Sequence, residues 1–368
     1  MARIASLLHH EQSLEVVWSD GVSTRYPWLW LRDHAHADDA LNPRSGERQL
    51  FTARVPSGLR GLSTEIHDTA LSVTWDVLEP TSVLPLAFLA EHRFPRVARV
   101  ALESQVTLWA GSTFAVPTIA HDLVMSTDAG VGSWLASTLQ FGLCMVTGTP
   151  PTGEATEALL RRAVVSGGAA ESVATANGDD GVHFRELHDE ASAELRGNTD
   201  GTHAADPPGF RLTHWLSFAG EGGDTTLVDG FAIARRMEAE HPDEFEMLST
   251  VMVPGQSKPP GGHLLAVRPV FRHDHTGRLV QVSFDNYHRA PFLLPEGDMI
   301  AFYDSLRVFE ELANDPAMQW RRVLQPGEAL LVDNWRVLHG QIAHRGRRHV
   351  AAGHLSREAV ESRLRGLR

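Results

Sequence analysis

The sequence predicts a mainly β protein with flanking helices: a double-sheet jelly roll preceded by a small β-rich domain. Two observations carry this. The first ~80 residues hold several short alternating or β-branched runs separated by turn residues. From Asp128 onward, short strand-like runs recur with few helices between them, the spacing of a double-sheet β architecture.

In chain order, residues 13–18 and 22–30 read as strands around the turn Ser19-Asp20-Gly21. Asn42 to Gly46 is a loop, residues 49–55 a strand, and residues 66–75 another. Pro80 to Pro85 marks a boundary, with a short helix over 86–92 and connecting structure over 93–117. The domains are therefore placed at 1–95 and 96–368. Residues 129–141 have helical spacing, 143–146 form a buried strand, 154–165 a helix, and the Gly/Ala/Asp-rich 166–182 a loop. Strands follow at 210–218, 224–228, 250–254, 264–271, 279–285, 329–332 and 348–354, with helices near 230–248 and 295–314.

Composition narrows the function classes. Apolar residues are 42% and charged residues 21%, enough to build a core, and the net charge of −13 with no Lys/Arg run argues against nucleic acid and anionic membrane partners. No stretch approaches the roughly 18 apolar residues of a membrane helix. The N-terminus meets Arg3, His9 and Glu11 too early for a signal peptide, so a cytoplasmic location is expected. The single cysteine, Cys144, excludes a disulfide framework and a thiolate zinc site. With 20 histidines, a transition-metal site would use imidazole and carboxylate. A small-molecule substrate is expected, and a homodimer is left open.

Four segments carry candidate chemistry: Gly197-Asn198-Thr199-Asp200-Gly201-Thr202-His203; Gly222-Gly223-Asp224-Thr225; Asp285-Asn286-Tyr287-His288-Arg289-Ala290-Pro291; and Asp333-Asn334-Trp335-Arg336-Val337-Leu338-His339-Gly340, followed by Arg347-Arg348-His349. Each alone is weak, since a Gly-flanked Asp is ordinarily a turn residue. Together with Arg32-Asp33-His34 after Trp28-Leu29-Trp30-Leu31, and in this order, they resemble the γ-butyrobetaine hydroxylase group of the taurine dioxygenase superfamily, the Fe(II)/2-oxoglutarate oxygenases, over nearly the whole chain.

The resemblance implies a double-stranded β-helix, an oxidoreductase activity, and two cofactors, Fe(II) and 2-oxoglutarate. It makes His339 the distal metal ligand and Asp200 the carboxylate ligand of a facial triad with open positions. It makes Arg348 the bidentate partner of the far carboxylate of 2-oxoglutarate, with Thr225 beside it and Asn286 and Arg289 shaping the pocket. The strand bearing Arg348 is expected beside the strand that precedes His339.

The sequence departs from the family at three places. The first triad position, two residues before Asp200, holds Asn198 rather than His, and an amide oxygen is a weak ligand. Either Asn198 or water completes an iron site, or His203 substitutes, or iron is lost and Asp200 or His339 serves a lyase, isomerase, hydrolase or binding role in the same pocket. The zinc-binding cysteines of the N-terminal domain are replaced by Ala35, Ala37 and Ala40, so no structural zinc is expected although His34, His36 and His67 remain. The tyrosine cage for a trimethylammonium group is missing: the chain has 3 Tyr in all, and His354 stands at one cage position. His183, His188, His203 and His354 are instead expected to line a polar pocket for a non-quaternary metabolite, better suited to a carboxylate or another anion.

Overall fold

The computed structural model describes residues 3–94, 106–111, 113–164 and 182–367, with the side chains of residues 182 and 183 outside the description. The chain divides into two compact units, 1–105 and 106–368. The loop expected over 166–182 falls almost wholly outside the described residues.

In the first unit, strands β1 (Ile4–His9), β2 (Ser13–Trp18) and β3 (Ser23–Pro27) form one antiparallel sheet. Helix α1 (Trp28–Asp33) follows, and β4 (Gly61–His67), β5 (Ala70–Trp75) and β6 (Ser82–Pro85) form a second sheet before helix α2 (Leu86–Glu91). Leu14, Val16, Trp18, Trp28, Leu71 and Val73 fill the core between them. Three expectations are corrected here. Residues 28–30 are helical, because Pro27, which has no N–H to offer a longer ladder, ends the strand and stands as the N-cap of α1. Residues 49–55 contain a short 3-10 turn, Thr52–Arg54, with no strand. The run 66–75 is the second half of a hairpin, broken at Asp68, whose φ of 39° reverses the chain. Ala35 and Ala40 are buried. His34 stacks on Trp30 at 4.4 Å, His36 lies against Phe88, and His67 is exposed beside Glu65.

The second unit begins with β7 (Thr118–Ala120), α3 (His121–Ser126), α4 (Asp128–Phe141), β8 (Leu143–Thr147) and α5 (Gly153–Arg162). Helix α4 starts at Thr127, whose side chain accepts from the Gly130 N–H, and stops at Gly142 with φ of 81°. Next come β9 (Val182–Ser192), β10 (Leu195–Asn198), β11 (Phe210–Gly222), β12 (Thr225–Asp229), α6 (Gly230–Glu240) and α7 (Pro242–Thr250). The single helix expected over 230–248 is thus two, because Pro242 cannot continue α6 and opens α7. β13 (Val253–Ser257) pairs with β14 (Leu264–Arg268), and β15 (Phe271–His273) with β16 (Leu279–Val282). Helix α8 (Glu296–Asn314), β17 (Trp320–Arg322), β18 (Ala329–Asp333), β19 (Val337–Gln341), β20 (His344–Leu355) and α9 (Arg357–Gly366) complete it. No helix among the described residues is long and apolar enough to cross a membrane.

Two sheets form the jelly roll. One runs β7-β8-β18-β11-β20-β9 and the other β10-β19-β12-β17. Leu143, Met145, Trp215, Leu330, Val332 and Val350 of the first meet Leu227, Trp320 and Val337 of the second in the interior. The alternate residues Cys144, Val146, Phe210, Leu212, Leu331 and Leu355 pack on the other face with Trp134, Leu159 and Val360 of the helices. Burial pushes the Cys144 thiol up to about 12, which makes it an inert core residue. The arm bearing Arg348 does not lie beside the strand before His339: β11 intervenes between β18 and β20.

Candidate functional site

The site forms where the two sheets meet. In the smaller sheet, the β10–β19 register sets Asn198 opposite His339. In the larger sheet, the β11–β20 register sets Arg211 opposite His354. Asp200 follows β10 in a turn, and Asn334 fixes its backbone. The Asp200 N–H donates to Asn334 Oδ1 at 2.7 Å, while Asn334 Nδ2 donates to the carbonyls of Asp200 at 3.0 Å and Pro208 at 2.8 Å.

The structure therefore gathers Asn198, Asp200, His339 and His354, and adds Arg211. Arg211 Nη1 lies 2.9 Å from Asp200 Oδ2 and 2.9 Å from His339 Nε2. His354 Nε2 bonds the same carboxylate oxygen at 2.8 Å, and His339 Nε2 lies 3.4 Å from it. Because the guanidinium only donates, His339 Nε2 is the acceptor and the proton sits on Nδ1, which is buried with no partner. Burial pushes the Asp200 carboxyl up, but the Arg211 charge and the His354 hydrogen bond outweigh it and hold the carboxyl far below the usual range.

These residues do not fit Fe(II) as the family triad would hold it. Asn198 spends both amide protons on backbone, at Arg196 O (3.0 Å) and His339 O (3.3 Å), and supplies no imidazole. The two ligand atoms that remain, on Asp200 and His339, are already bonded to one guanidinium nitrogen. His203 does not replace Asn198. Its Nδ1 is buried without a partner and its ring faces His288 at 5.3 Å, with burial and then the His288 charge pushing its pKa down.

The residues expected to hold 2-oxoglutarate divide. Arg348 is buried and already carries a carboxylate: Nε and Nη2 reach Asp189 Oδ1 and Oδ2 at 3.1 and 2.8 Å, and Nη1 donates to Gln341. Burial pushes Asp189 up, but its bonds to Arg348 bring it below the usual carboxylate range. Thr225 is buried and pairs in register with Gln341, so it belongs to this neighbourhood. Asn286, expected with Arg348, instead lines a separate cavity with Thr202, Gly255, Arg268, Asp285 and Arg289. In that cavity Arg268 donates to the carbonyls of Thr202 and Ala204, and the Arg289 guanidinium lies 5.6 Å from the Tyr303 ring with Nη1 buried and unpartnered.

The expected histidine-lined pocket is corrected. The register sets His183 opposite His354, but its side chain is not among those described. His188 stacks on His349 at 3.8 Å beside Glu186, away from His354 and Asp200, and lines a cavity of about 560 Å³ with Asp189, Arg348 and His349. Arg211 and Asp189 were not singled out in the sequence. The signal for Arg211 was a basic residue between the core residues Phe210 and Leu212, on the strand that follows a triad missing its imidazole.

The family model "Gamma-butyrobetaine hydroxylase-like, N-terminal" matches residues 5–89, and "Taurine catabolism dioxygenase TauD, TfdA family" matches residues 111–354. The chain is 25% identical to a trimethyllysine dioxygenase of Meyerozyma guilliermondii, over 98% of this chain and 95% of that protein. It is 26% identical to human gamma-butyrobetaine dioxygenase, over 99% of this chain and 96% of that protein. A putative alpha-ketoglutarate-dependent taurine dioxygenase from Burkholderia xenovorans superposes with a TM-score of 0.49 at 16% identity, covering 68% of this chain and 93% of the other. With two thirds of its length matched by one family model and its N-terminal unit by the other, the chain belongs to the TauD, TfdA family of 2-oxoglutarate-dependent dioxygenases, in its γ-butyrobetaine hydroxylase-like branch.

Proposed function

We propose that this dioxygenase-family chain acts on a small polar metabolite bearing an anionic group and does not select a quaternary ammonium ion. The observation that carries the reading is Arg289, a guanidinium in the cavity beside Asp285 and Asn286 with a buried nitrogen left unpartnered. An unsatisfied buried donor is costly, and a carboxylate or similar anion would satisfy it with a charge-assisted bond. The relatives are named for trimethyllysine and γ-butyrobetaine, whose trimethylammonium groups suit open aromatic faces. Here the Tyr303 ring is already met by Arg289, and the Tyr287 hydroxyl accepts from the Arg196 N–H at 3.0 Å.

Oxidation of that metabolite is the reaction class the family supplies. A second reading, favoured by the guanidinium between Asp200 and His339, is a metal-independent conversion in which one of those two residues acts as general base. The substrate reading is tested with matched pairs by calorimetry: lysine against trimethyllysine, and 4-aminobutyrate against γ-butyrobetaine. No preference for the trimethylated member is expected, and binding of the carboxylates should weaken about tenfold in Arg289→Gln. A tenfold preference for either trimethylated compound would overturn it. Succinate formation with Fe(II) and 2-oxoglutarate, set against turnover with chelator present, separates the two reaction classes.

A further inference from the structure

We propose that Arg211 is the resident cation of this centre: its guanidinium stands between Asp200 and His339 in place of a divalent metal, so the folded centre is closed to metal until Arg211 is displaced. This concerns the centre's cation and stands independently of the substrate reading.

The argument begins with lone pairs. A divalent metal would need Asp200 Oδ2 and His339 Nε2, each at about 2.0–2.2 Å. A single nitrogen, Arg211 Nη1, is 2.9 Å from both, so its N–H groups point into the wedge the ion would fill. The same carboxylate oxygen also accepts from His354. A guanidinium keeps its charge at any physiological pH, so it neutralises Asp200 permanently, whereas a metal site must be loaded.

Arg211 is also held in place. It sits within the β11 ladders to β18 and β20, and its Nε donates to Thr213 Oγ1 at 3.2 Å. Its side chain is only 19% exposed, which separates it from a solvent-screened surface pair. The two departures act in one direction. Asn198 removes a ligand and ties its amide to backbone carbonyls, while Arg211 fills the space the remaining ligands share.

The test is Mn(II) binding, read by loss of the free-ion paramagnetic resonance signal and by calorimetry, on the full chain. A His349→Ala background silences the surface group of Glu186, His188 and His349. Wild type and Asn198→His should both leave Mn(II) free. Arg211→Gln should gain affinity about tenfold or more, and Asn198→His/Arg211→Gln should bind most tightly, so that the imidazole helps only once the guanidinium is gone. Mn(II) binding to wild type as tight as to Arg211→Gln, and lost in His339→Ala, would overturn the proposal, as would full binding by Asn198→His alone. A second measurement needs no change at Arg211: the melting temperature of the His349→Ala protein should be the same with Mn(II) as with chelator. A rise that His339→Ala abolishes would equally refute it.

Discussion

Replacing Asp189 with Asn should open Arg348 to 2-oxoglutarate. In the folded chain the Arg348 guanidinium is met by two oxygens of Asp189 at 3.1 and 2.8 Å, the bidentate geometry in which it would take an incoming carboxylate. The side chains are 8% and 29% exposed, so solvent screens the pair only in part. A charge-assisted contact of this kind contributes about 1.5–3 kcal/mol. An incoming carboxylate must first displace Asp189, which lowers its affinity by the equivalent of about 10- to 150-fold. The amide introduced by Asp189→Asn keeps the shape and one acceptor oxygen but gives up the charge. Calorimetric titration of 2-oxoglutarate into wild type and Asp189→Asn should therefore show tighter binding by the variant, with Arg348→Gln abolishing the gain. Equal affinity in the two proteins would show that Asp189 does not compete for Arg348. Tight binding that survives Arg348→Gln would show that Arg348 is not the acceptor at all.

Three further outcomes follow from buried groups. His214 is fully buried, with Nδ1 on Thr156 Oγ1 at 2.8 Å, and burial, aided by the His121 charge, pushes its pKa down to about 4. The unfolded chain then binds the extra proton first, so stability should fall by about 1.4 kcal/mol per pH unit between roughly pH 6.5 and 4, and His214→Gln should flatten that part of a urea-midpoint profile. Arg336 is 1% exposed, forks onto Asp229 at 3.0 and 2.7 Å, and also binds the carbonyls of Gln140 and Thr107. Arg336→Ala should cost about 3–5 kcal/mol in chemical denaturation by stranding a buried carboxylate, and a loss below about 1 kcal/mol would contradict this. Asn334→Ala removes three bonds around the Asp200 turn, so proton exchange at the Asp200 amide should speed up at least about tenfold while β20 amides stay protected.

Long periodic segments were legible in the sequence because their signal is local. The strands at 143–147, 225–229 and 329–333 are buried along nearly their whole length; the first and last stand out as apolar runs and the middle one by its β-branched Thr225, Thr226 and Val228. The strands at 182–192 and 195–198 are polar and were missed, since their place comes from pairing with β20 and β19 rather than from their own composition. The site divides in the same way. Asp200, His339 and Arg348 were visible through motif order. The partners that decide their chemistry, Arg211 and Asp189, lie 11 residues from Asp200 and 159 from Arg348, and only the ladders bring them into contact. His188 lines the cavity at Arg348 and not the one at His354, because a strand's face is a matter of parity, and parity is set by register.

That parity also has a bearing on what can change in this molecule. Along β11 and β20 every second side chain serves the helices, and the ones between serve the enclosed interior where the charges meet. The two sets share a backbone but pack into different clusters, so they are separate registers of information written on one ribbon. Phe210, Leu212 and Leu355 hold the helix layer in place whether position 211 carries a donor, an acceptor or a charge. The scaffold can thus be rewired on its inner parity, from an ion held by ligands to an ion carried by a side chain, while its outer parity continues to specify the same folded chain.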